Sequence, residues 1–331
     1  MKLPVNDVRQ LCLGAFSRAG VSDLQSVSTV DALLLAEAQG LSSHGISRVP
    51  MYLAHVQHRR VNAVAIPKVL RSEGSASLVD ADNGFAFPAC RLAVEQVLQK
   101  AETNGVAMST TTNSHHFGVA GNHLLPLAEA GMVGLALGNS PAAMPAWGGK
   151  RSAMGTNPIA AIFPRRHKAP VLIDLSLSEV ARGKIMLASK AGTTIPLGWA
   201  LDENGDPTTD PNRALSGMML PVGGLKGAML ALLVELLVTT LTGSHFGAEA
   251  DSFFGDAGNQ PRLGQAFVGI NPDKFAGRDV FEERMGTLLS FITQDPEVRI
   301  PGERRFQLQQ ISWSEGIDLP DMLIEQIQKS L

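Results

Sequence analysis

Ser43, His44 and Arg48 fall together in the stretch SSHGISR, residues 42–48, of a chain with only 8 histidines. An imidazole can give or take a proton near neutral pH. A guanidinium presents a planar fork that matches a carboxylate. An acid/base group beside a carboxylate clamp suits chemistry at the carbon next to an acid. The other reading is a solvated turn in which Arg48 pairs with a nearby acid, and a short Ser-His-Gly match does not decide between the two.

Further polar clusters follow along the chain. TNSHHFGVAGNH (112–123) comes at the end of an expected strand, where His116, Phe117 and Gly118 leave room for a ligand against the backbone. His115, His116 and His123 raise a metal reading, but no carboxylate or thiolate completes a ligand set, so no metal is expected. MGTNPIAAIFP (154–164) places Gly155, Asn157 and Pro158 at a strand entrance, which is equally the spelling of a plain turn. In LIDLSLSEVARGK (172–184), Asp174 interrupts an apolar strand, a costly position unless the carboxylate has a partner. Ser176 and Ser178 precede a helix start where an anion can lie, and Arg182 and Lys184 follow on that helix. LPVGGLKGAML (220–230) sets glycines ahead of Lys226 at a helix entrance, and RIPGERR (299–305) is a turn of concentrated positive charge.

The elements that must position these groups are read from periodicity and punctuation. Two amphipathic helices are expected over 5–38, the second stopping at Gly40, then a short helix opened by Pro50. A β-hairpin with an Asp-Asn-Gly turn is expected over 68–85, a helix over 87–105 and a strand over 106–114. A helix over 120–131 precedes strands at 132–140, 157–164 and 169–178, and a helix at 179–192. Residues 193–216 read as irregular. The run AMLALLVELLVTTLTG (228–243) reads as a helix buried in the core, since Glu235 and its length argue against a membrane span. A strand over 264–272 and helices near 279–293 and 319–330 complete an α/β chain with a mixed sheet and flanking helices.

Composition bounds the function classes. With 331 residues, 44% hydrophobic and 18% charged, the chain reads as globular, of two or three domains. A net charge of −3 provides no basic field for nucleic acid or anionic lipid. Cys12 and Cys90 lack ligand spacing and read as buried thiols of a reducing compartment, and no signal-peptide pattern opens the chain, so a cytoplasmic protein is expected. Neither G-x-G-x-x-G nor G-x-x-x-x-G-K-[ST] occurs, so any dinucleotide site must be built differently from the usual Rossmann turn.

Taken in order, SSHGISR, NSHHFGVAG, GTNP, IDLSLSEVARGK, GGLKG…VELL…LTG and IPGERR resemble the malate/L-lactate dehydrogenase family of NAD(P)-dependent oxidoreductases, from about residue 40 to residue 305. The resemblance implies the family's non-Rossmann dinucleotide-binding fold, a homodimer and a site between domains. It implies an N-terminal helical part, 1–75, packing with 260–331, and a dinucleotide-binding mixed-sheet domain over 76–259. It implies that His44 is the acid/base group, that Ser43 assists it, and that Arg48 holds the substrate carboxylate, with His116 and Arg182 also at the substrate. Cofactor contacts are expected at His116, Phe117, Gly118, Asn157, Asp174, Leu175, Ser176, Leu225, Lys226, Pro301, Gly302 and Glu303. Lys184 is implied as a third catalytic residue: it stands where the family's imine reductases carry an aspartate of an acid/base relay, and a lysine there matches the hydroxy-acid members better.

The implied activity is NAD(P)-dependent interconversion of a small 2-hydroxy acid and its 2-oxo acid, of the malate, lactate or sulfolactate type. The cofactor is NAD or NADP, with NADPH taken first, and the partner is a small carboxylate substrate. Reduction of the cyclic imines piperideine-2-carboxylate or pyrroline-2-carboxylate is the alternative within the enzymes. A non-catalytic dinucleotide-binding protein is the alternative from another class.

Overall fold

Apolar residues at helical spacing build the N-terminal layer. The computed structural model, which describes residues 1–329, begins with α1 (Val5–Arg18), α2 (Asp23–Ala38) and α3 (Val49–Gln57). Val8, Cys12, Ala15 and Phe16 put one face of α1 into a core shared with Val30, Leu33, Tyr52 and Phe85. Pro50 lies in the first turn of α3, as expected of a residue with no N–H to lose there. The helices α4 (Ala86–Asn104), α5 (Leu125–Glu129), α6 (Arg182–Ala191), α7 (Pro211–Ser216), α8 (Leu225–Thr240), α9 (Arg278–Ile292), α10 (Glu303–Glu315) and α11 (Asp321–Lys329) follow. The chain's end returns to its beginning: Ile317–Asp318 pairs antiparallel with Lys2–Leu3, and Ile327 and Leu319 join the N-terminal core.

A seven-stranded sheet forms the second layer. Its strands are β1 (Lys68–Glu73), β2 (Ala76–Asp80), β3 (Val106–Ser114), β4 (Val133–Gly138), β5 (Ile159–Phe163), β6 (Val171–Leu175) and β7 (Leu263–Ile270), in the order β1-β2-β3-β7-β4-β5-β6. The β2–β3 pair is parallel, joined through α4, and the other five pairs are antiparallel. The C-terminal ends of β3, β4 and β6 therefore lie at the same edge as the N-terminal ends of β5 and β7, with Ser114 opposite Leu263 and Ile159 opposite both Leu137 and Leu175. Segments 113–118, 155–158 and 174–178, far apart in sequence, are gathered there. Ala89, Ala93, Val97 and Ala101 of α4 pack under the sheet with Phe267 and Ile162, and Gly269 leaves the space that brings Val97 down onto β7.

Several expectations change. The hairpin turns at Gly74 and Ser75, and Asp82-Asn83-Gly84 instead leads out of β2 into α4. The 120–131 helix is a 3-10 turn followed by the short α5, and the 179–192 helix begins only at Arg182. Residues 303–315, which overlap the expected turn at 299–305 and otherwise carried no expected element, form α10. The sheet takes in 68–73 and 263–270, which lie outside the 76–259 range. The largest difference is α8. Ala228, Ala231, Val234 and Val238 face inward, but Leu225, Met229, Leu230, Leu232, Leu233 and Leu236 are 38–50% exposed. Continuous apolarity does not by itself show that both faces are covered within one chain. No helix among the described residues is long and apolar enough to cross a membrane.

Candidate active site

The Ser-His-Gly turn is shaped by the end of α2. Gly40 sits at φ 74°, its N–H donating to the Glu37 carbonyl while the Leu41 N–H donates to that of Ala36, both at 2.9 Å. This bond pair is a Schellman stop, and it needs the left-handed residue that glycine supplies. The chain then runs through two 3-10 turns, Ser42–His44 and Ile46–Arg48. The Glu37 carboxylate holds them, accepting from Ser42 Oγ and, at 2.8 Å, from Ile46 N–H. A Cβ at Gly45 would stand 2.2 Å from Glu37 Oε2, so a side chain there would push the carboxylate out of this position.

This frame presents His44 half-buried, with Nδ1 3.0 Å from Ser43 Oγ. Its Nε2 has no hydrogen-bond partner among the described residues, and the Ser43 hydroxyl, donor or acceptor, suits either ring tautomer. The ring stacks on His116 at 5.5 Å between centroids and 25° between planes. Burial first, then the charges of Arg48 and Arg305, lower the His44 pKa from 6.5 to about 4. The resting imidazole is therefore neutral at pH 7.

Arg48 donates through Nε to the Ser43 carbonyl at 2.6 Å and through Nη1 to Met51 Sδ at 3.6 Å. Tyr52, the chain's single tyrosine, follows one turn later on α3, and its hydroxyl lies 2.7 Å from His116 Nδ1. Burial pushes the phenol pKa up and the His116 pKa well down, so a neutral phenol meets a neutral imidazole. His55, a further turn along, meets His115 Nε2 at 3.0 Å.

A third wall comes from 251–259. Arg60, fully buried, donates to the carbonyls of Asp251, Ser252, Gly255 and Asn259. That fixes Phe253 against the rings of His55, His115 and His116, and sets Phe254 outward. Arg48 Cζ lies 5.8 Å and Arg182 Cζ 5.3 Å from the Phe254 ring centroid.

The sheet edge supplies the rest. Asp174 has the partners its position demands: Oδ2 accepts from Arg305 Nη1 at 2.9 Å and from Gly121 N–H at 3.2 Å. Leu175 and Ser176 are exposed at the strand end. Pro301 docks on the edge strand, its carbonyl accepting from Leu172 N–H at 3.0 Å, and Glu303 pairs with Arg165 at 3.0 Å. Beside them, Gln39, Gly40, Leu41, Arg299, Arg304 and Arg305 help line a cleft of about 550 Å³. Leu225 and Lys226 are exposed in the first turn of α8, behind Gly223 and Gly224 at φ 60° and 67°. Phe117 is buried and stacks on His123, so its side chain belongs to the core rather than to the surface of the site.

Two expected site residues are placed elsewhere. Asn157 is fully buried at φ 38°, donating to the Ala231 carbonyl and to Glu235 Oε2, which also places its side chain off the surface. Lys184 is exposed on α6, two residues past Arg182 and so on a different face, and no hydrogen bond or ion pair joins it to Ser43 or His44 among the described residues. Conversely, Tyr52, Phe254 and Arg305 were not anticipated. Arg48, Tyr52 and His55 recur at helical spacing on either side of Pro50, a signal that was available for Tyr52. Nothing local marks Phe254 or Arg305, which arrive through chain reversals of about 200 and 130 residues.

A mixed sheet edge, a histidine-arginine turn and a basic cleft without a Rossmann glycine turn define a non-Rossmann ligand-binding α/β protein. A family model described as malate/L-lactate dehydrogenase matches residues 3–328, and the chain belongs to that family of oxidoreductases. It is 44% identical over 325 residues, 98% of this chain and 96% of the relative, to a (2R)-3-sulfolactate dehydrogenase (NADP(+)) of Chromohalobacter salexigens. It is 33% identical to a Delta(1)-pyrroline-2-carboxylate/Delta(1)-piperideine-2-carboxylate reductase of Pseudomonas putida, over 100% of this chain and 97% of the relative. Among solved structures, the sulfolactate dehydrogenase of Methanocaldococcus jannaschii superposes with a TM-score of 0.91 at 30% identity, covering 100% of this chain and 96% of that one. The delta1-piperideine-2-carboxylate reductase of Pseudomonas syringae pvar. tomato gives 0.93 at 33%, covering 100% of both.

Proposed function

We propose that this protein is an NADP-dependent dehydrogenase of a small 2-hydroxy acid of the sulfolactate type, interconverting it with the 2-oxo acid. One observation carries the reading: a neutral imidazole backed by a hydroxyl stands beside Arg48, a half-buried guanidinium whose bonds go to a carbonyl and a thioether rather than to an acid. That is the arrangement a 2-oxo acid needs, with Arg48 on its carboxylate and His44 Nε2 at its C2 oxygen. The 44% identity to the NADP(+)-dependent sulfolactate enzyme supports the substrate and cofactor.

The residues present suit a dinucleotide. Three guanidiniums, Arg299, Arg304 and Arg305, line the cleft beside the Gly302 turn, where a phosphate-bearing group finds positive charge and a helix N-terminus. When bound, the nicotinamide supplies or accepts the hydride at C2. The chain's own part is to orient the acid through Arg48, to hold His116 by Tyr52 against the reacting centre, and to move one proton between His44 and the substrate oxygen. In the oxidation direction the neutral His44 accepts the hydroxyl proton. In the reduction direction the arriving substrate anion offsets Arg48, which raises the His44 pKa and lets the ring carry the proton it delivers.

The protein is also proposed to be cytoplasmic, in keeping with buried free thiols at Cys12 and Cys90, and to pair with a second copy through α8. Leu225, Met229, Leu232 and Leu236 recur on that helix at the four-three-four spacing of a helix–helix seam.

The test is a side-by-side assay of NADPH and NADH oxidation with 3-sulfopyruvate, oxaloacetate, pyruvate and pyrroline-2-carboxylate. The proposal expects 3-sulfopyruvate with NADPH to give the highest kcat/KM. The full-length likeness to the piperideine-2-carboxylate reductase supports the second reading, and preferred turnover of the cyclic imine would establish it instead.

A further inference from the structure

Most arginines of this protein that touch another charged group meet a carboxylate: Arg9 meets Asp31, Arg165 meets Glu303, Arg213 meets Asp202, Arg278 meets Asp273 and Arg305 meets Asp174. Arg48 and Arg182 break the pattern, as do Arg60, whose bonds go to backbone carbonyls and His55, and Arg18, which donates to the Ile327 carbonyl. Arg48 and Arg182 are both half-buried, and neither has a carboxylate within ion-pair distance among the described residues. Arg182 donates one Nη2 bond, at 2.7 Å, to the Leu215 carbonyl, and burial alone lowers its pKa, with no acid acting against it. Both approach the ring of Phe254, which stands 55% exposed on the loop that Arg60 anchors. Distances of 5.8 and 5.3 Å to one centroid hold the two guanidinium carbons within about 11 Å of each other. Two partly desolvated like charges brought to one ring raise the energy of the empty site, and anions arriving at both relieve it.

We propose that Arg182, which shares the ring of Phe254 with Arg48, is the specificity-determining residue that receives a second anionic group of the substrate, so that the site selects three- and four-carbon 2-oxo acids ending in a sulfonate or carboxylate. The inference rests on the 2-oxo acid reading above and adds to it the substrate feature that Arg182, already expected near the substrate, reads. The fit is one of length. An acid whose two anionic groups are separated by one or two carbons beyond C2, with a guanidinium packed on each end, spans about the distance that Phe254 allows. The first turn of α6 leaves room for it, since no atom lies within 4 Å of the Cβ position at Gly183. Pyruvate, with the same reacting carbon and one carboxylate, has nothing to offer Arg182.

The experiment is steady-state kinetics of the full-length enzyme with saturating NADPH, comparing 3-sulfopyruvate and oxaloacetate with pyruvate, in the wild type, Arg182→Ala, Arg182→Lys and Phe254→Leu. Removing one charged hydrogen-bonding partner is expected to lower the dianion/monoanion ratio of kcat/KM by about 10- to 100-fold in Arg182→Ala, mostly through KM, with pyruvate changing far less. Arg182→Lys should restore part of the ratio, which a merely structural role for the side chain would not. Phe254→Leu, which removes the plate but neither charge, should lower the ratio by less than Arg182→Ala. An unchanged ratio in Arg182→Ala, or equal losses on pyruvate and the dianions, overturns the inference while leaving the dehydrogenase reading intact. Failure of the wild type to reduce any of the 2-oxo acids overturns that reading, and the inference falls with it.

Discussion

His44 would not be chosen as a proton donor from its resting state. Burial, Arg48 and Arg305 hold its pKa at about 4, against 6.5 for an unperturbed imidazole. The consequence is directional. Oxidation of the hydroxy acid needs the neutral ring, and because the pKa is lowered, that form persists well below pH 6.5. The kcat/KM for oxidation should therefore stay level from about pH 8 to pH 5.5 and fall only as the pH nears 4, whereas an unshifted histidine would give an inflection near 6.5. A measured acid limb at 6.5 would show that the site does not depress this group. At this scale much was legible in the sequence: Ser43, His44 and Arg48 share seven residues, and Asp174 declared its need for a partner by interrupting an apolar strand. The identity of that partner, Arg305, was not, because charge complementarity between residues 131 positions apart leaves no local mark.

Among the elements, α8 shows best how an apolar pattern underdetermines its setting. Its sequence reads as a buried helix, yet its inward face is a stripe of alanine and valine, and its larger leucines point out. Glu235, on the inward side at 5% exposure, holds three segments at once: Asn139 and Asn157 through their side-chain amides and Gly247 through its N–H. Asn157, expected at the cofactor, is thus a support of the sheet edge. Its asparagine amide suits both a turn and a buried network, and spacing alone does not separate them. Glu235→Ala leaves these donors unpaired and should cost about 3 kcal/mol in chemical denaturation, whereas Glu235→Gln, which keeps one acceptor oxygen, should cost less. Equal stability of wild type and Glu235→Ala would mean the network is not structural. The missed α10 has a similar cause. Its first turn follows Gly302 at φ 94°, and the glycine-proline spelling around it reads as loop until the helix it caps is seen.

For the molecule as a whole, five imidazoles respond to acid together. Burial lowers the pKa values of His44 and His55 to about 4, those of His115 and His116 well below the ordinary 6.5, and that of His123 below it. The unfolded chain binds protons at these sites from about pH 6.5 downward, while the folded chain resists, at His44 and His55 until the pH approaches 4. Stability is complete above 6.5 and lost progressively across that window. The urea midpoint at pH 5 should lie clearly below that at pH 7.5, and a flat profile would contradict the neutral cluster. The exposed seam of α8 bears on assembly: the double variant Leu232→Glu, Leu236→Glu should sediment as a monomer where the wild type sediments as a dimer, and a monomeric wild type would remove the proposed pairing.

The account turns on where His44 Nε2 stands when substrate is present, and a crystal structure of the ternary complex with NADPH and oxamate, an inert analogue of a 2-oxo acid, addresses it most directly. The oxamate carboxylate should lie on Arg48, with its amide oxygen about 2.6–3.2 Å from His44 Nε2 and the nicotinamide C4 on the opposite face of the C2 position. An oxamate bound away from His44, or an imidazole turned from it toward solvent in a complex that still holds NADPH, would contradict the assignment.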